Sequence, residues 1–294
     1  MNTHDGWERI LIPRQDIAVL LFYYLGYSRF RNFIYRIQHK PATLILTFHD
    51  VADKEIASFK NKMLFLKHRT HIVSLDDFFS GRLSALKPNI IITFDDGYPN
   101  WSSHLIPLLK SLKMSATFFV SSGCIDESIK GQSRLSSARR VSLPEMRQNT
   151  MGKVGRADVR RIAEEGFAVG GHTISHLNLA RLTDRSRVEY EIIEDKMRLE
   201  DITGKAVDYF AYPSGAFQNP AINIINILQQ TGYKGAVTTN PGFNYVGSNP
   251  YTLHRELTRA SMHEQVFQAR ALGNYAAVTM IKNLFDHRAE INHL

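Results

Sequence analysis

Asp95 and Asp96 stand side by side after the apolar run Ile90-Ile91-Ile92-Thr93-Phe94 and just ahead of Gly97. A strand that delivers two adjacent carboxylates to a glycine turn can divide labour between them, one as a metal ligand and one as a general base. Farther along, His172 and His176 lie four residues apart in Gly171-His172-Thr173-Ile174-Ser175-His176. That spacing predicts two imidazoles on one face of a helical turn, able to close a metal site. Two histidines and one carboxylate leave room for water, as an open catalytic site requires. A third segment, Tyr212-Pro213-Ser214-Gly215, follows Phe210 and Ala211 with a rigid proline and a permissive glycine, as a backbone lining a pocket would.

The elements that must position these residues read as alternating strands and helices. Short apolar runs occur at 43–48, 71–75, 90–94, 116–120, 167–171, 209–212 and 235–239, and helical patterns at 56–68, 101–112, 157–165, 184–203 and 220–231. This alternation predicts parallel β/α units. About seven strands point to an α/β fold of the distorted or incomplete (β/α) barrel type rather than an open doubly wound sheet. In such barrels the functional residues gather at the C-terminal ends of the strands. His49, Asp95, His172 and Pro213 each fall just after a predicted strand. The stretch 124–154 lacks periodicity and is rich in Ser, Arg and Gly, and it reads as a basic loop inserted at that end.

Taken in order, Thr93-Phe94-Asp95-Asp96-Gly97, His172-Thr173-x-x-His176 and Pro213-Ser214-Gly215 resemble the polysaccharide deacetylases, carbohydrate esterase family 4, which include the chitooligosaccharide deacetylases. The resemblance covers roughly residues 44–259. It implies that Asp95 is the base and that Asp96, His172 and His176 hold a metal, with Zn2+ the default and Co2+ or Ni2+ accepted by the same donors. It also implies a glycan substrate, from which the enzyme would remove N-acetyl groups of N-acetylglucosamine-type residues, in a polysaccharide or a lipid-linked oligosaccharide. O-acetyl ester hydrolysis, amino-sugar deformylation, or a silent glycan-binding module on the same fold are the alternatives.

Expulsion of an amine needs a general acid, and histidine suits the task because its unperturbed pKa lies near 6.5. His49, after the strand at 43–48, and His254, in Tyr251-Thr252-Leu253-His254-Arg255, are the two candidates. Most family members place the acid in a Leu-x-His segment near the C-terminus, which is missing here. In the subgroup resembling poly-N-acetylglucosamine deacetylases it precedes the paired aspartates, in a segment like Phe48-His49-Asp50-Val51, so His49 is preferred. Ala211 stands where many members carry an arginine that orients the base, and Arg255 is the candidate substitute. Ser214 replaces a common aromatic residue but keeps its backbone N–H for an oxyanion. Tyr98, Tyr212, Pro213, Ser214 and Gly215, with Trp101 and Phe217, are the expected substrate contacts.

The chain of 294 residues, 44% hydrophobic, is long enough to bury one large core, and its single cysteine, Cys124, cannot form an internal disulfide. Residues 1–40 read as a helical segment preceding a catalytic domain at 41–294. The acidic start and the lack of a small-residue cleavage site predict no cleaved export signal, and hence a cytoplasmic protein, peripheral to the inner face of the membrane. The apolar run 17–27 is about half of the roughly 20 residues that a spanning helix needs. Arg29, Arg31, Arg36 and Lys40 follow it, interleaved with Phe30, Phe33, Ile34, Tyr35 and Ile37. This is the makeup of a helix lying on an anionic membrane surface, or of one packed against the barrel. The net charge of +8 is concentrated here and at 130–161. The latter region has few aromatic residues to stack bases, which argues against nucleic acid as the partner.

Overall fold

Every residue of strands β1 (Thr43–Phe48) and β3 (Asn89–Asp95) is buried, as expected of parallel strands covered on both faces, which have no solvent side and therefore no polar alternation. The computed structural model describes residues 13–37, 41–125 and 154–279. The other strands are β2 (His71–Ile72), β4 (Thr117–Val120), β5 (Ala168–Gly171), β6 (Tyr209–Ala211), β7 (Gly235–Val237) and β8 (Glu256–Leu257). The helices are α1 (Arg14–Tyr24), α2 (Tyr27–Ile37), α3 (Ile56–Arg69), α4 (Leu75–Phe79), α5 (Ile106–Ser111), α6 (Arg156–Glu164), α7 (Arg185–Thr203), α8 (Ile224–Gln230) and α9 (Glu264–Ala271). All strand pairs are parallel, in the order β7-β6-β5-β4-β3-β1-β8. The sheet is a curled, incomplete barrel of seven strands, with β2 added beside the first residues of β3.

The period of two along a strand sorts side chains into two layers. Ile45, Ile91, Phe119, Tyr209, Ala211, Val237 and Leu253 cluster inside the curl, while Leu46, Phe48, Ile90, Ile92, Phe94, Phe118, Phe210 and Tyr212 face outward under the helices. Closure comes from the segment 253–257. Leu253 bridges Val237 of β7, and Glu256 and Leu257 pair with Leu46 and Thr47 of β1. A two-residue strand carries no readable periodicity, so β8 is absent from the sequence-based strands.

At two places a side-chain cap moves the expected boundary. The run 71–75 stops at Ile72 because Ser74 caps α4: its Oγ accepts from Asp77 N at 3.0 Å while Asp77 Oδ2 accepts from Ser74 N at 3.0 Å. The helix expected at 220–231 begins at Ile224, where the Asn223 side chain accepts from Asn226 N at 3.0 Å. Most of the inserted basic loop lies outside the described residues. Of the basic region 130–161, the arginines on α6 serve packing: Arg156 pairs with Asp201 at 2.6 Å, Arg160 donates to Ile202 O at 3.2 Å and Arg161 donates to Ser102 Oγ at 3.4 Å. Among the described residues no helix is long and apolar enough to cross a membrane.

Candidate active site

The inner face of the barrel changes from apolar to polar toward the C-terminal ends of the strands. Above Ile45 and Ile91 come Thr47 and Thr93, paired across β1 and β3, and then Asp95, which is 2% exposed. Arg255, wholly buried, enters this layer from the closing segment. Its Nη1 and Nη2 donate to Asp95 Oδ1 and Oδ2, each at 2.7 Å, while Nε donates to Thr238 O at 2.7 Å and Nη1 reaches Thr47 Oγ1 at 3.1 Å. Burial alone would raise the Asp95 carboxyl. The Arg255 guanidinium, helped by His172 and His49, outweighs it and holds Asp95 below the usual carboxylate range. Ala211 therefore leaves no missing cation: the guanidinium arrives from the closing segment just ahead of β8.

Asp96 follows the strand with φ 86° and Gly97 with φ 80°, so the chain turns at once and aims the second carboxylate away from the first. Asp96 Oδ1 lies 3.2 Å from His176 Nε2 and 3.5 Å from His172 Nε2, and Asp96 Oδ2 lies 3.9 Å from His49 Nε2. His172 and His176 do not sit on a helix, contrary to the spacing argument. β5 ends at Gly171, and left-handed residues Thr173 (φ 64°) and His176 (φ 53°) fold the loop until the rings meet edge to face, 4.8 Å between centroids. Of the five non-glycine residues with left-handed φ in the described chain, four (Asp96, Thr173, His176 and Ser214) are in this site. Each costs on the order of 1 kcal/mol, and such strain persists where the surroundings enforce it.

The donor set fits a divalent cation. His172 Nδ1 lies 2.6 Å from the carbonyl of Ala211, which can only accept, so Nδ1 carries the proton and Nε2 presents its lone pair to Asp96. Asp96 Oδ1 is buried and has no hydrogen-bond partner of its own. Acceptors that face one another this closely need a positive charge among them. Accordingly, burial would lower His172 and raise Asp96, yet their proximity wins on both sides: His172 is pushed up and Asp96 far down. Asp96, His172 and His176 are the one such trio among the described residues, with all ligand atoms within 4.8 Å.

The remaining expected site residues divide. His49, its side chain 37% exposed, follows β1 at the mouth, and its carbonyl accepts from Trp101 Nε1 at 3.2 Å. Trp101 itself is core, packed against Phe94 and Phe118. His254 is not at the mouth: its backbone is bound on both sides by the Asn244 side chain, and Asn244 pairs with Thr43 at the opposite end of β1. Tyr212 is also a correction as a stacking platform. It continues the outward parity of Phe210, is wholly buried, and donates its hydroxyl to Tyr251 O at 3.0 Å. Tyr98 and Phe217 are half-buried beside the core. Pro213 is buried and Ser214 exposed; Gly215 N donates to Tyr212 O at 2.8 Å, which leaves the Ser214 N–H as the donor on offer in this turn.

Two positioning residues escape sequence reasoning. On α7, Asp195 accepts from Ser122 N and His172 N, each at 2.9 Å, and Glu191 accepts from Ser175 N at 2.9 Å. Both are wholly buried, and burial lifts the Asp195 carboxyl to about 7 against its N–H donors. The signal lay in the helix pattern, since Glu191 and Asp195 fall within the stripe of Val188, Ile192, Leu199 and Ile202 that α7 buries. Gly171 has no room for a side chain, because a Cβ there would collide with Tyr233 and Asp195.

A curled parallel sheet with an Asp/His/His trio and a buried Asp–Arg pair at its mouth defines a hydrolase-type fold and site. The family model for polysaccharide deacetylase matches residues 83–236, and the chain belongs to that family. YxkH of Bacillus subtilis is 27% identical over 180 residues, which are 61% of this chain and 55% of the relative, so the chain spans little more than half of that protein's length. IcaB from Ammonifex degensii superposes with a TM-score of 0.62 at 21% identity, covering 80% of this chain and 98% of that one. The de-N-acetylase from Aggregatibacter actinomycetemcomitans gives 0.60 at 16% identity, covering 80% and 99%. At these identities the two structures establish the shared fold.

Proposed function

We propose that this protein hydrolyses acetamido groups on N-acetylglucosamine-type residues of a polysaccharide or lipid-linked oligosaccharide. The observation that carries this reading is the buried Asp95–Arg255 pair set immediately beside the Asp96/His172/His176 trio. A divalent cation, zinc by default with cobalt or nickel also suited, would be held by that trio and would supply Lewis-acid polarisation of the acetyl carbonyl and of water. Asp95, kept ionised by Arg255, takes the proton of the attacking water. The Ser214 N–H donates to the oxyanion. His49 then gives its proton to the amine as the C–N bond breaks, and acetate leaves. Tyr98, Phe217 and Pro213 border the place where the sugar would lie.

Acetate release from N-acetylglucosamine oligomers and from O-acetylated glycans, measured with the parent chain and with His49→Ala, tests the reading. An amine is a worse leaving group than an alcohol, so the substitution is expected to slow amide hydrolysis far more than ester hydrolysis. Equal losses on both, or a parent chain active on esters alone, would favour the esterase reading.

A further inference from the structure

We propose that the outer face of α1 and the start of α2 dock on an anionic lipid surface. Among the described residues α1 is held to the barrel by one face: Val19 is fully buried, and Asp16 receives Arg270 of α9 at 2.5 Å. The opposite face presents Ile17, Leu21, Tyr24 and Leu25, spaced i, i+4, i+7 and i+8, and Phe30 of α2 extends the stripe. These five are between 57% and 75% exposed. Such a stripe is too contiguous for scattered surface residues and has the apolar and aromatic makeup of a helix lying in an interface.

What covers it is indicated by charge. Beside the stripe is a pocket of about 320 Å3 whose walls include Tyr24, Ser28, Arg29, Asn32 and Arg69. Arg29 and Arg69 are exposed and have no ion-pair partner among the described residues. Two unpaired guanidinium groups at the polar edge of an apolar stripe fit the phosphate of an anionic headgroup. A second copy of the chain fits poorly, because a two-fold contact uses the same patch on both copies, and neither the stripe nor the pocket lining offers a carboxylate to these arginines.

The pocket lies at the N-terminal end of the barrel, where Pro88 precedes β3 and Arg69 ends α3, whereas Asp95 and Asp96 are at the far end of β3. Seven residues at about 3.3 Å each separate the two ends by roughly 20 Å. Docked in this way, the mouth opens away from the lipid, toward glycan that extends from the surface.

The test is sedimentation of the full chain with vesicles of phosphatidylcholine alone or enriched in phosphatidylglycerol, read without any activity assay so that it stands apart from the deacetylase reading. Binding is expected only to the anionic vesicles, falling with added salt. Arg29→Gln with Arg69→Gln is expected to weaken it about thirty-fold, and Leu21→Gln with Leu25→Gln to weaken it about tenfold or more, with unchanged melting temperature. No vesicle binding by folded protein would overturn the proposal. So would a dimer that Leu21→Gln dissociates, since the face would then pair two copies.

Discussion

Two buried arginines hold the barrel together at its open seam, and they treat their carboxylates in opposite ways. Arg255 meets one carboxylate with both arms of its guanidinium, and Asp95 is held below the usual range. Arg270 divides itself between Asp16 of α1 and Glu256 of β8, and burial lifts Glu256 to about 8. Asp195, which has no guanidinium, rises to about 7. Burial pushes Asp95, Glu256 and Asp195 toward the protonated form, and of these three only Asp95, which has a full bidentate partner, falls below its ordinary range. The fold supplies that partner at the position where an ionised base is wanted, and a half share of one where two elements only need to be clamped.

The comparison can be broken most sharply at Asp95. Asp95→Asn keeps the shape and one of the two Arg255 hydrogen bonds but removes the base, and a loss of about 100- to 10,000-fold in turnover is expected with metal binding intact. Next is Arg255→Met, which strands a buried anion. Denaturant unfolding should show about 3–5 kcal/mol of lost stability, and the acid limb of the pH–rate profile should move upward as Asp95 becomes easier to protonate. Arg270→Met should cost less, about 1.5–3 kcal/mol, because the Glu256 carboxyl is already lifted by burial toward its protonated form and leaves less buried charge behind than Asp95 does.

Glu256→Gln is the mildest change and tests the sign. In the parent chain the folded state keeps the Glu256 proton up to about pH 8, whereas an unfolded glutamate releases it near about 4.3. The folded form therefore binds the extra proton across that window, and stability falls as pH rises through it. The Gln variant should show a flatter profile between those limits. Asp95 works the other way. Its depressed folded value stabilises the protein above the ordinary aspartate range, and that contribution is lost as pH falls through the folded value.

Much of this was legible in the residues themselves. The strand at 43–48 is recovered residue for residue because it is an unbroken run of apolar and β-branched residues with clear ends at Pro41 and His49. Asp95, Asp96, His172, His176 and His49 come together because each sits at or just after a strand end, where a parallel barrel delivers its chemistry. The helical reading of 172–176 failed because a four-residue spacing does not distinguish a helical turn from a loop bent by left-handed residues. Tyr212 failed for a simpler reason: strand parity from Phe210 already sent it outward. The Glu191 and Asp195 supports were visible as acids inside a buried stripe, but only knowledge of the packing says which backbone they hold.

The central claim is that Asp95 and a cation on Asp96, His172 and His176 together cleave acetamide. Its most direct test is acetate release from N-acetylglucosamine oligomers by the full chain in metal-loaded, chelated and Asp95→Asn forms. Release that disappears on chelation, returns with added zinc and is lost in Asp95→Asn is the expected result. Release that survives in Asp95→Asn or without metal would contradict the account.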